Sequence, residues 1–370
     1  MNTIDIDFFF ASLKAGLWER DIDFSSFDQV DYNEIYQLAR EQTVEGLVAA
    51  GFDYIRDANA PKEEFLCFVG SVLQIEQRNK AMNQFVADMV NKMRSVGIYT
   101  VLVKGQGVAQ CYKRPLWRMC GDVDFFFSNE DYQKAKEFLL PMSSSTEKYT
   151  QGNHFEMVID SWVVELHGWF HGGISNRINK VLDDVHNDTF LGANVRIWNN
   201  NGVQVSLLSP ENDAFYVFVH FVNHFYKGGI GLRQICDWCR LLWTYKNEMD
   251  IRKLESRITS AKLMTEWRAF GAFAVDYLGL PVDVIPFYSG NDKWKKKAKL
   301  ICSFIMESGN FGHKRDTSYY HKYPYLISKC YSLTIRIIDL CHHARIFPMD
   351  SLRFFPYIIY SGINSAVRGA

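Results

Sequence analysis

Several features are absent from this chain of 370 residues, and each absence narrows what the protein can be. No run of about 18 uncharged apolar residues occurs, so we predict no transmembrane helix. The first residues are acidic and lack a basic region, so we expect no signal peptide. The formal net charge is −1, which offers no overall basic surface for nucleic acid. No low-complexity tract occurs, and the composition is that of a globular protein.

The eight cysteines form no pattern typical of a metal centre. Cys236 and Cys239 have Cys-x-x-Cys spacing, but a second pair at a suitable spacing is missing. Because no secretion signal is evident, we expect reduced thiols that pack in the interior. The sequence therefore predicts a cytoplasmic protein. The apolar segment 354–360 is expected to be a packed or dimer-forming helix, with peripheral membrane contact as the alternative.

The chain divides into three stretches of different periodicity. Residues 1–97 and 209–370 place apolar side chains at helical spacing, and Pro61 is expected to begin a long helix. Residues 98–208 contain short runs typical of strands, with a hairpin signal at Asn201-Gly202. We therefore predict an α+β protein with a mixed β-sheet core. The predicted divisions are an N-terminal helical region, a sheet-containing catalytic core and a C-terminal helical domain.

Two aspartates stand out in a predicted strand. Asp122 and Asp124 alternate with apolar residues just after Gly121, so both carboxylates point to the same face of the strand. Two such carboxylates repel each other unless a cation lies between them, and Mg²⁺ prefers oxygen ligands of this kind. Platforms of this type serve phosphoryl and nucleotidyl transfer. The plainer alternative is a pair of carboxylates that form salt bridges or lie at an exposed edge.

A possible phosphate-binding turn precedes the aspartates. Lys104, Gly105 and Gly107 follow a predicted strand and lead into a predicted helix. Glycines there allow the backbone to approach phosphate, and a helix start favours anions. Lys104 adds a positive charge, and Arg118 could also reach phosphates. Glycine-rich turns are common, so this motif alone is weak evidence.

A third carboxylate lies further along the chain. Glu165 is flanked by apolar residues in a predicted strand, where an ionised group is costly unless it is paired or bound to metal. His167 shares its face, which places this histidine near the same site. On a later helix, His220 and His224 share a face and are expected to be core or cleft histidines, with a zinc site as the alternative. His167 and His220 are expected to lie behind the metal ligands or on the acceptor side.

Taken in order, these residues resemble the nucleotidyltransferase superfamily, and more narrowly a bacterial family of uncharacterised nucleotidyltransferases. The pattern is a Lys-Gly strand end, a tyrosine, an arginine, a Gly-Asp-x-Asp strand and a later strand with an acidic residue two before a histidine. The resemblance is specific over about residues 98–170. It implies a fold like that of DNA polymerase beta, with Asp122 and Asp124 as metal ligands and Glu165 as the third carboxylate. It also implies a nucleoside triphosphate substrate and Mg²⁺ or Mn²⁺.

We therefore expect transfer of a nucleoside monophosphate to the hydroxyl of an unidentified small molecule, sugar or protein, and we do not expect a nucleic acid acceptor. One position departs from the broad superfamily, which has Gly-Ser where this chain has Lys104-Gly105. This departure supports an alternative, a catalytically inactive module that binds nucleotide or a partner. A kinase is disfavoured because no P-loop or kinase catalytic loop occurs. Arg233 and Asp237, four residues apart on a predicted helix, are expected to pair.

Overall fold

The computed structural model describes residues 3–23, 27, 30–55, 66–146, 154–171, 174–310 and 324–367. Four helices precede the sheet: α1 (Thr3–Trp18), α2 (Tyr32–Glu41), α3 (Glu45–Phe52) and α4 (Leu66–Ser95). The sheet region contains β1 (Val101–Val103), α5 (Gly105–Ala109), β2 (Asp122–Phe126), α6 (Asn129–Leu139), β3 (Ser145–Thr146), β4 (His154–Ile159), β5 (Trp162–His167), α7 (Asn176–Phe190), β6 (Val195–Asn200) and β7 (Val203–Leu208).

Helices make up the regular structure of the rest of the described chain. They are α8 (Pro210–Lys227), α9 (Leu232–Thr244), α10 (Ile251–Ala261), α11 (Met264–Asp276), α12 (Asp292–Ser308), α13 (Tyr325–Ile346) and α14 (Pro348–Val367). The predicted α+β fold with helices on both sides of a sheet region is confirmed. The predicted helix start at Pro61 lies outside the described residues. Within the described part of the chain, no helix combines the length and apolarity needed to cross a membrane.

The seven strands form one mixed sheet in the order β3-β4-β5-β2-β1-β7-β6. The central strand, β2, pairs antiparallel with β1 and parallel with β5. The β4–β5 hairpin turns at Asp160 and Ser161, and the β6–β7 hairpin turns at Asn201 and Gly202. All four turn residues have positive φ, as two-residue turns that match the strand twist require. The β6–β7 hairpin occurs where Asn201-Gly202 predicts it.

The two faces of β2 differ in chemistry. Val123 and Phe125 point into an apolar cluster formed with α4 and α6. Asp122, Asp124 and Phe126 alternate with them and therefore point to the opposite face. On that face Phe126 packs against Tyr216 of α8. The polar residues of β2 therefore lie between the sheet and α8.

The helices before and after the sheet share an apolar core. Trp18 of α1 lies with its ring 5.4 Å from that of Trp243 on α9, and Phe10 lies 5.6 Å from Tyr277. Near the other end of the chain, the buried Phe354 of α14 packs 4.8 Å from Tyr226 of α8. The predicted division at residues 97 and 208 coincides with the change from helices to strands and back. Whether these regions are separate domains stays a prediction.

Candidate active site

Strand pairing brings the predicted carboxylates onto one face of the sheet. Asp124 and Glu165 are register partners in the parallel β2–β5 ladder. Register partners point the same way, so these side chains project together toward α8. Asp122 lies two residues earlier on the same face, at the start of β2. Its carboxylate has no hydrogen-bond or ion-pair partner among the described residues. Asp124, in contrast, is buried, and its Oδ1 contacts both Lys104 and His167.

Lys104 follows β1 and pairs directly with Asp124. The distance from Lys104 Nζ to Asp124 Oδ1 is 2.7 Å, and both side chains are largely buried. The backbone of Lys104 has φ +53, a conformation that usually needs glycine and costs a lysine of order 1–3 kcal/mol. This conformation is retained at the turn between β1 and α5, where it accompanies the ion pair. Lys104 therefore places its charge at the centre of the carboxylate group.

Two histidines complete the polar cluster. His167 Nε2 lies 3.1 Å from Asp124 Oδ1 and 3.2 Å from Glu165 Oε2. His154, the partner of His167 in the β4–β5 hairpin, places its Nε2 3.4 Å from the same Glu165 oxygen. The His167 ring is stacked on Phe126 at 4.4 Å and 9°. The contacts form a continuous chain from Lys104 through both carboxylates to His154.

The pKa shifts follow from burial and these contacts. Burial tends to raise the pKa of Glu165, but the hydrogen bonds from His154 and His167 and the charge of Lys104 outweigh it and hold this pKa well below its ordinary value. Burial raises the pKa of Asp124, opposed by Lys104 and reinforced by the nearby negative charges. Burial disfavours a charged Lys104, yet its carboxylate neighbours raise its pKa overall. Lys104 is therefore held as a cation.

A small cleft of about 60 Å³ lies beside the aspartates. Its lining includes Lys104, Gly105, Arg118, Asp122, Asp124, His220 and Arg233. Arg118 is held there by Asp237, with Nε 3.0 Å from Oδ1 and Nη2 2.6 Å from Oδ2. Tyr112 donates a third hydrogen bond to this carboxylate at 2.8 Å. The Arg118 charge is thus balanced by a buried partner before any phosphate binds.

Arg233 was expected to pair with Asp237, and this expectation is wrong. Asp237 is committed to Arg118 and Tyr112, because Arg118 reaches both carboxylate oxygens in a bidentate arrangement. Arg233 instead donates from Nη1 to the carbonyl of Met119 at 2.7 Å, and its buried Nε has no partner among the described residues. Burial and the charge of Arg118 lower the pKa of Arg233. Arg233 is therefore a cation at the small cleft that sequence reasoning missed as a site residue.

The two glycines of the predicted phosphate turn differ in role. Gly105 has φ +39 and lines the small cleft. Gly107 lies within α5, and a Cβ there would come within 2.8 Å of the Leu207 side chain on β7. Gly107 lines neither of the two clefts described here. A glycine is needed at this position because α5 packs closely on the sheet. A role for Gly107 in phosphate binding stays a prediction.

A larger cavity of about 410 Å³ opens on the other side of Lys104. Its lining is mainly aromatic and imidazole side chains, with two lysines: Lys104, Phe126, His154, Glu165, His167, Trp169, Phe170, His171, Tyr216, Val219, His220, Asn223 and Lys227. His220 lines both spaces, as expected for a cleft histidine, and burial lowers its pKa well below the ordinary value. Burial also lowers the pKa of His224, to about 4. Most of these lining residues carry no motif that sequence reasoning could have used.

Some carboxylate oxygens of this site are available as metal ligands. Oδ2 of Asp124 has no hydrogen-bond partner among the described residues, and neither oxygen of Asp122 has one. These hard oxygen donors fit a Mg²⁺-type cation in chemistry. Among the described residues, however, the group whose donor atoms all lie within 4.8 Å of one another is His154, Glu165 and His167 rather than the three carboxylates. Lys104 occupies part of the space beside Asp124.

Comparison with known proteins identifies the family to which the chain belongs. The profile of the family described as Uncharacterised nucleotidyltransferase matches residues 28–279, which is more than half of the chain. No curated protein sequence matches the chain. A Thermotoga maritima structure provisionally described as a nucleotidyltransferase is 17% identical, with 35% of this chain and 78% of that chain covered and a TM-score of 0.26.

A second solved structure gives a likeness of similar extent. An antigenic nucleotidyltransferase-like protein from Paracoccidioides brasiliensis is 15% identical, with 50% of this chain and 87% of that chain covered and a TM-score of 0.31. Likenesses this distant carry no argument about activity, so the family assignment rests on the profile match. That match spans the sheet, both clefts and every residue of the polar cluster. The chain therefore belongs to the Uncharacterised nucleotidyltransferase family.

Proposed function

We propose that the protein transfers a nucleoside monophosphate from a nucleoside triphosphate to an acceptor hydroxyl and releases pyrophosphate. The observation that carries this proposal is the register pairing of Asp124 with Glu165. It places three carboxylates on one sheet face, beside a cleft whose lining includes the cations Lys104, Arg118 and Arg233. Clustered carboxylates beside fixed cations suit a phosphate chain that is bound together with metal.

Asp122, Asp124 and Glu165 would hold Mg²⁺ or Mn²⁺. When bound, the metal supplies positive charge that stabilises the charge developing on the transferred and leaving phosphates. The chain's own residues add to this. Lys104 and Arg118 are already fixed by carboxylate partners, so they present charge without further ordering. Arg233 has donor capacity left for a phosphate oxygen.

The two spaces suggest where each substrate part binds. The small cleft has the cations and the carboxylates, so we assign it to part of the triphosphate. The larger cavity, lined by rings and by Lys227, is assigned to the acceptor. In the reaction, the acceptor oxygen forms a bond to the α-phosphorus and the bond to the bridging oxygen breaks. Pyrophosphate leaves, and the acceptor proton passes to the Glu165–His167 pair.

The acceptor class follows from the cavity and the charge balance. A cavity of about 410 Å³ suits a small molecule, a sugar or a single protein side chain. The net charge of −1 gives no general basic surface, so a nucleic acid acceptor is disfavoured.

The Lys104–Asp124 ion pair supports a second candidate function. A lysine ammonium 2.7 Å from Asp124 can replace a metal ion as the counter-charge of a buried carboxylate. In that case the protein keeps the fold as a nucleotide- or partner-binding module without turnover. This candidate predicts that Lys104→Met, which removes the ammonium beside Asp124, gains stabilisation by Mg²⁺ that the parent protein lacks.

Transfer of label tests the two candidates. The protein is incubated with a small-molecule extract and a nucleoside triphosphate labelled at either the α- or the γ-phosphate, with and without Mg²⁺. We expect α-label in a new product, γ-label only in pyrophosphate, and neither in Asp122→Asn. Transfer of γ-label would indicate a phosphotransferase instead. No transfer, together with Mg²⁺ stabilisation confined to Lys104→Met in thermal melts, would favour the inactive module.

A further inference from the structure

We propose that His154, Glu165 and His167 form a binding site for a zinc-type divalent cation, which shares Glu165 with the carboxylate site of the proposed function but differs from it in ligand preference. One donor atom from each residue lies within 4.8 Å of the other two. Both histidines present Nε2 to the same Glu165 oxygen, at 3.2 and 3.4 Å. Two imidazoles and one carboxylate are a donor set that zinc accepts, with a fourth position left for water or substrate.

Two of the three ligand separations are close to those around a tetrahedral ion. Zinc binds imidazole nitrogen and carboxylate oxygen at about 2.0–2.2 Å, so neighbouring ligands at tetrahedral corners lie about 3.3–3.6 Å apart. The two separations from Glu165 Oε2, 3.2 and 3.4 Å, are close to this edge length, and the donor atoms of the two histidines lie within 4.8 Å of each other. An octahedral ion at the same bond lengths would need ligands at about 2.8–3.1 Å. The two imidazole donors therefore favour a zinc-type ion over Mg²⁺, which demands octahedral oxygen ligands.

The ligands are held on rigid elements. His154 and His167 are cross-strand partners in the β4–β5 hairpin, so the backbone ladder fixes their spacing. His167 is further held by its stacking on Phe126. A zinc ion would replace the contact that His167 now makes with Asp124 at 3.1 Å. That carboxylate would keep its ion pair with Lys104.

All three ligands line the larger cavity, so the fourth position of the ion would face the space assigned to the acceptor. With zinc bound, Glu165 and His167 would be ligands and could not accept the acceptor proton. A hydroxyl at the fourth position would instead have a pKa lowered by the ion and would release its proton to solvent. The two sites also differ in the metal ion that they prefer. The imidazole ligands favour borderline ions such as zinc, while the aspartates favour Mg²⁺. Zinc binding itself does not depend on the proposed nucleotide transfer.

The test measures metal binding by untagged, metal-free protein. Calorimetric titration with Zn²⁺ is compared for the parent protein, His154→Ala and Glu165→Gln, with Co²⁺ absorption as a report of tetrahedral geometry. The matched control is His171→Ala, because His171 lines the same cavity but pairs with Asp183 outside the triad. Asp122→Asn is the control for the aspartate site. Circular dichroism checks that each variant is folded.

We expect one Zn²⁺ per chain and tetrahedral Co²⁺ bands. His154→Ala and Glu165→Gln should bind at least about 100-fold more weakly, since even the loss of outer partners of a metal ligand costs 10–100-fold. His171→Ala and Asp122→Asn should bind as the parent does. A parent protein that binds no zinc, or a His154→Ala variant that binds it equally well, would overturn the proposal. Zinc binding retained in Asp122→Asn separates this claim from the proposed transferase activity.

Discussion

The two spaces on either side of Lys104 differ in the kind of charge they hold. In the small cleft, Arg118 and Lys104 are cations tied to buried carboxylates, and the charges stay in place whatever the ligand. The larger cavity is lined mainly by rings and imidazoles, whose charge depends on pH and on bound metal. Lys104 and His220 line both.

In the proposed function, this difference in charge lets one sheet face bind two substrates. Fixed charges suit the phosphates, which are always anionic, and need no reorganisation when these bind. Rings and adaptable donors suit an acceptor that must be recognised by shape and then lose a proton. Substitutions that alter one space and leave the other intact therefore test whether the two spaces have these different roles.

The largest effect is expected at the small cleft, from Asp122→Asn. This change removes a carboxylate that has no protein partner among the described residues, so the fold should be unaffected. Turnover should fall at least about 10³-fold, about 4 kcal/mol in the barrier. Asp160→Asn, the same change at the exposed β4–β5 turn, serves as control and should keep the parent rate. Nearly full activity in Asp122→Asn, measured as pyrophosphate release, would refute the assigned role.

Asp237→Asn tests whether the buried ion pair between Arg118 and Asp237 stabilises the folded protein. The substitution leaves a buried guanidinium without its bidentate partner, and we expect a loss of about 3–5 kcal/mol in the free energy of unfolding. Urea unfolding measures it. Lys80→Ala, which breaks an exposed pair with Glu76 on α4, should cost less than about 1 kcal/mol. Equal losses in the two variants would contradict the distinction.

The buried carboxylate of Glu266, which lines neither space, provides the contrast. Burial among the C-terminal helices raises the pKa of Glu266 to about 8, so the folded protein keeps a proton there that the unfolded chain loses above about pH 5. Its contribution to the free energy of unfolding should fall by about 1.4 kcal/mol per pH unit from pH 5 to 8. Glu266→Gln should remove this slope in urea unfolding at several pH values. A slope unchanged in the variant would show that Glu266 is ionised in the fold.

The smallest effect is expected for Arg233→Lys. Its guanidinium has no carboxylate partner among the described residues, so stability should change by less than about 1 kcal/mol. A lysine cannot bind phosphate oxygens in a bidentate way, so affinity for the triphosphate should fall about 10-fold. The KM for nucleotide and the unfolding free energy are measured together. A large loss of stability with unchanged KM would assign Arg233 to the fold instead.

Much of the sheet could be predicted because local chemistry specifies it. Alternation of apolar and polar residues marked β2, β4 and β5, and Asn201-Gly202 marked a hairpin that the structure contains. The helix α7 was not predicted, although Ser175 caps its start and Ile178, Val181 and Val185 bury one face. That signal was present in the sequence. The juxtaposition of Asp124 with Glu165 needed only the right strand pairing.

Other parts of the site depend on tertiary partners. The pairing of Asp237 with Arg118 could not be read from spacing, because a bidentate partner from another segment displaces a neighbour four residues away. His154 joins His167 only through the hairpin register. The rings of Trp169 and Tyr216 come from separate elements and meet at the larger cavity. These contacts between side chains from separate segments follow from tertiary packing rather than from any local sequence pattern.

The proposed nucleotide site depends on metal and is built on the carboxylates of β2 and β5. The most direct measurement is calorimetric titration of the protein with ATP, GTP, CTP and UTP, with and without Mg²⁺, in parallel with the Asp122→Asn/Asp124→Asn double variant. We predict that at least one triphosphate binds only with Mg²⁺ and that the double variant loses this binding. Binding of none of the four, or binding that survives the double substitution, would contradict the account.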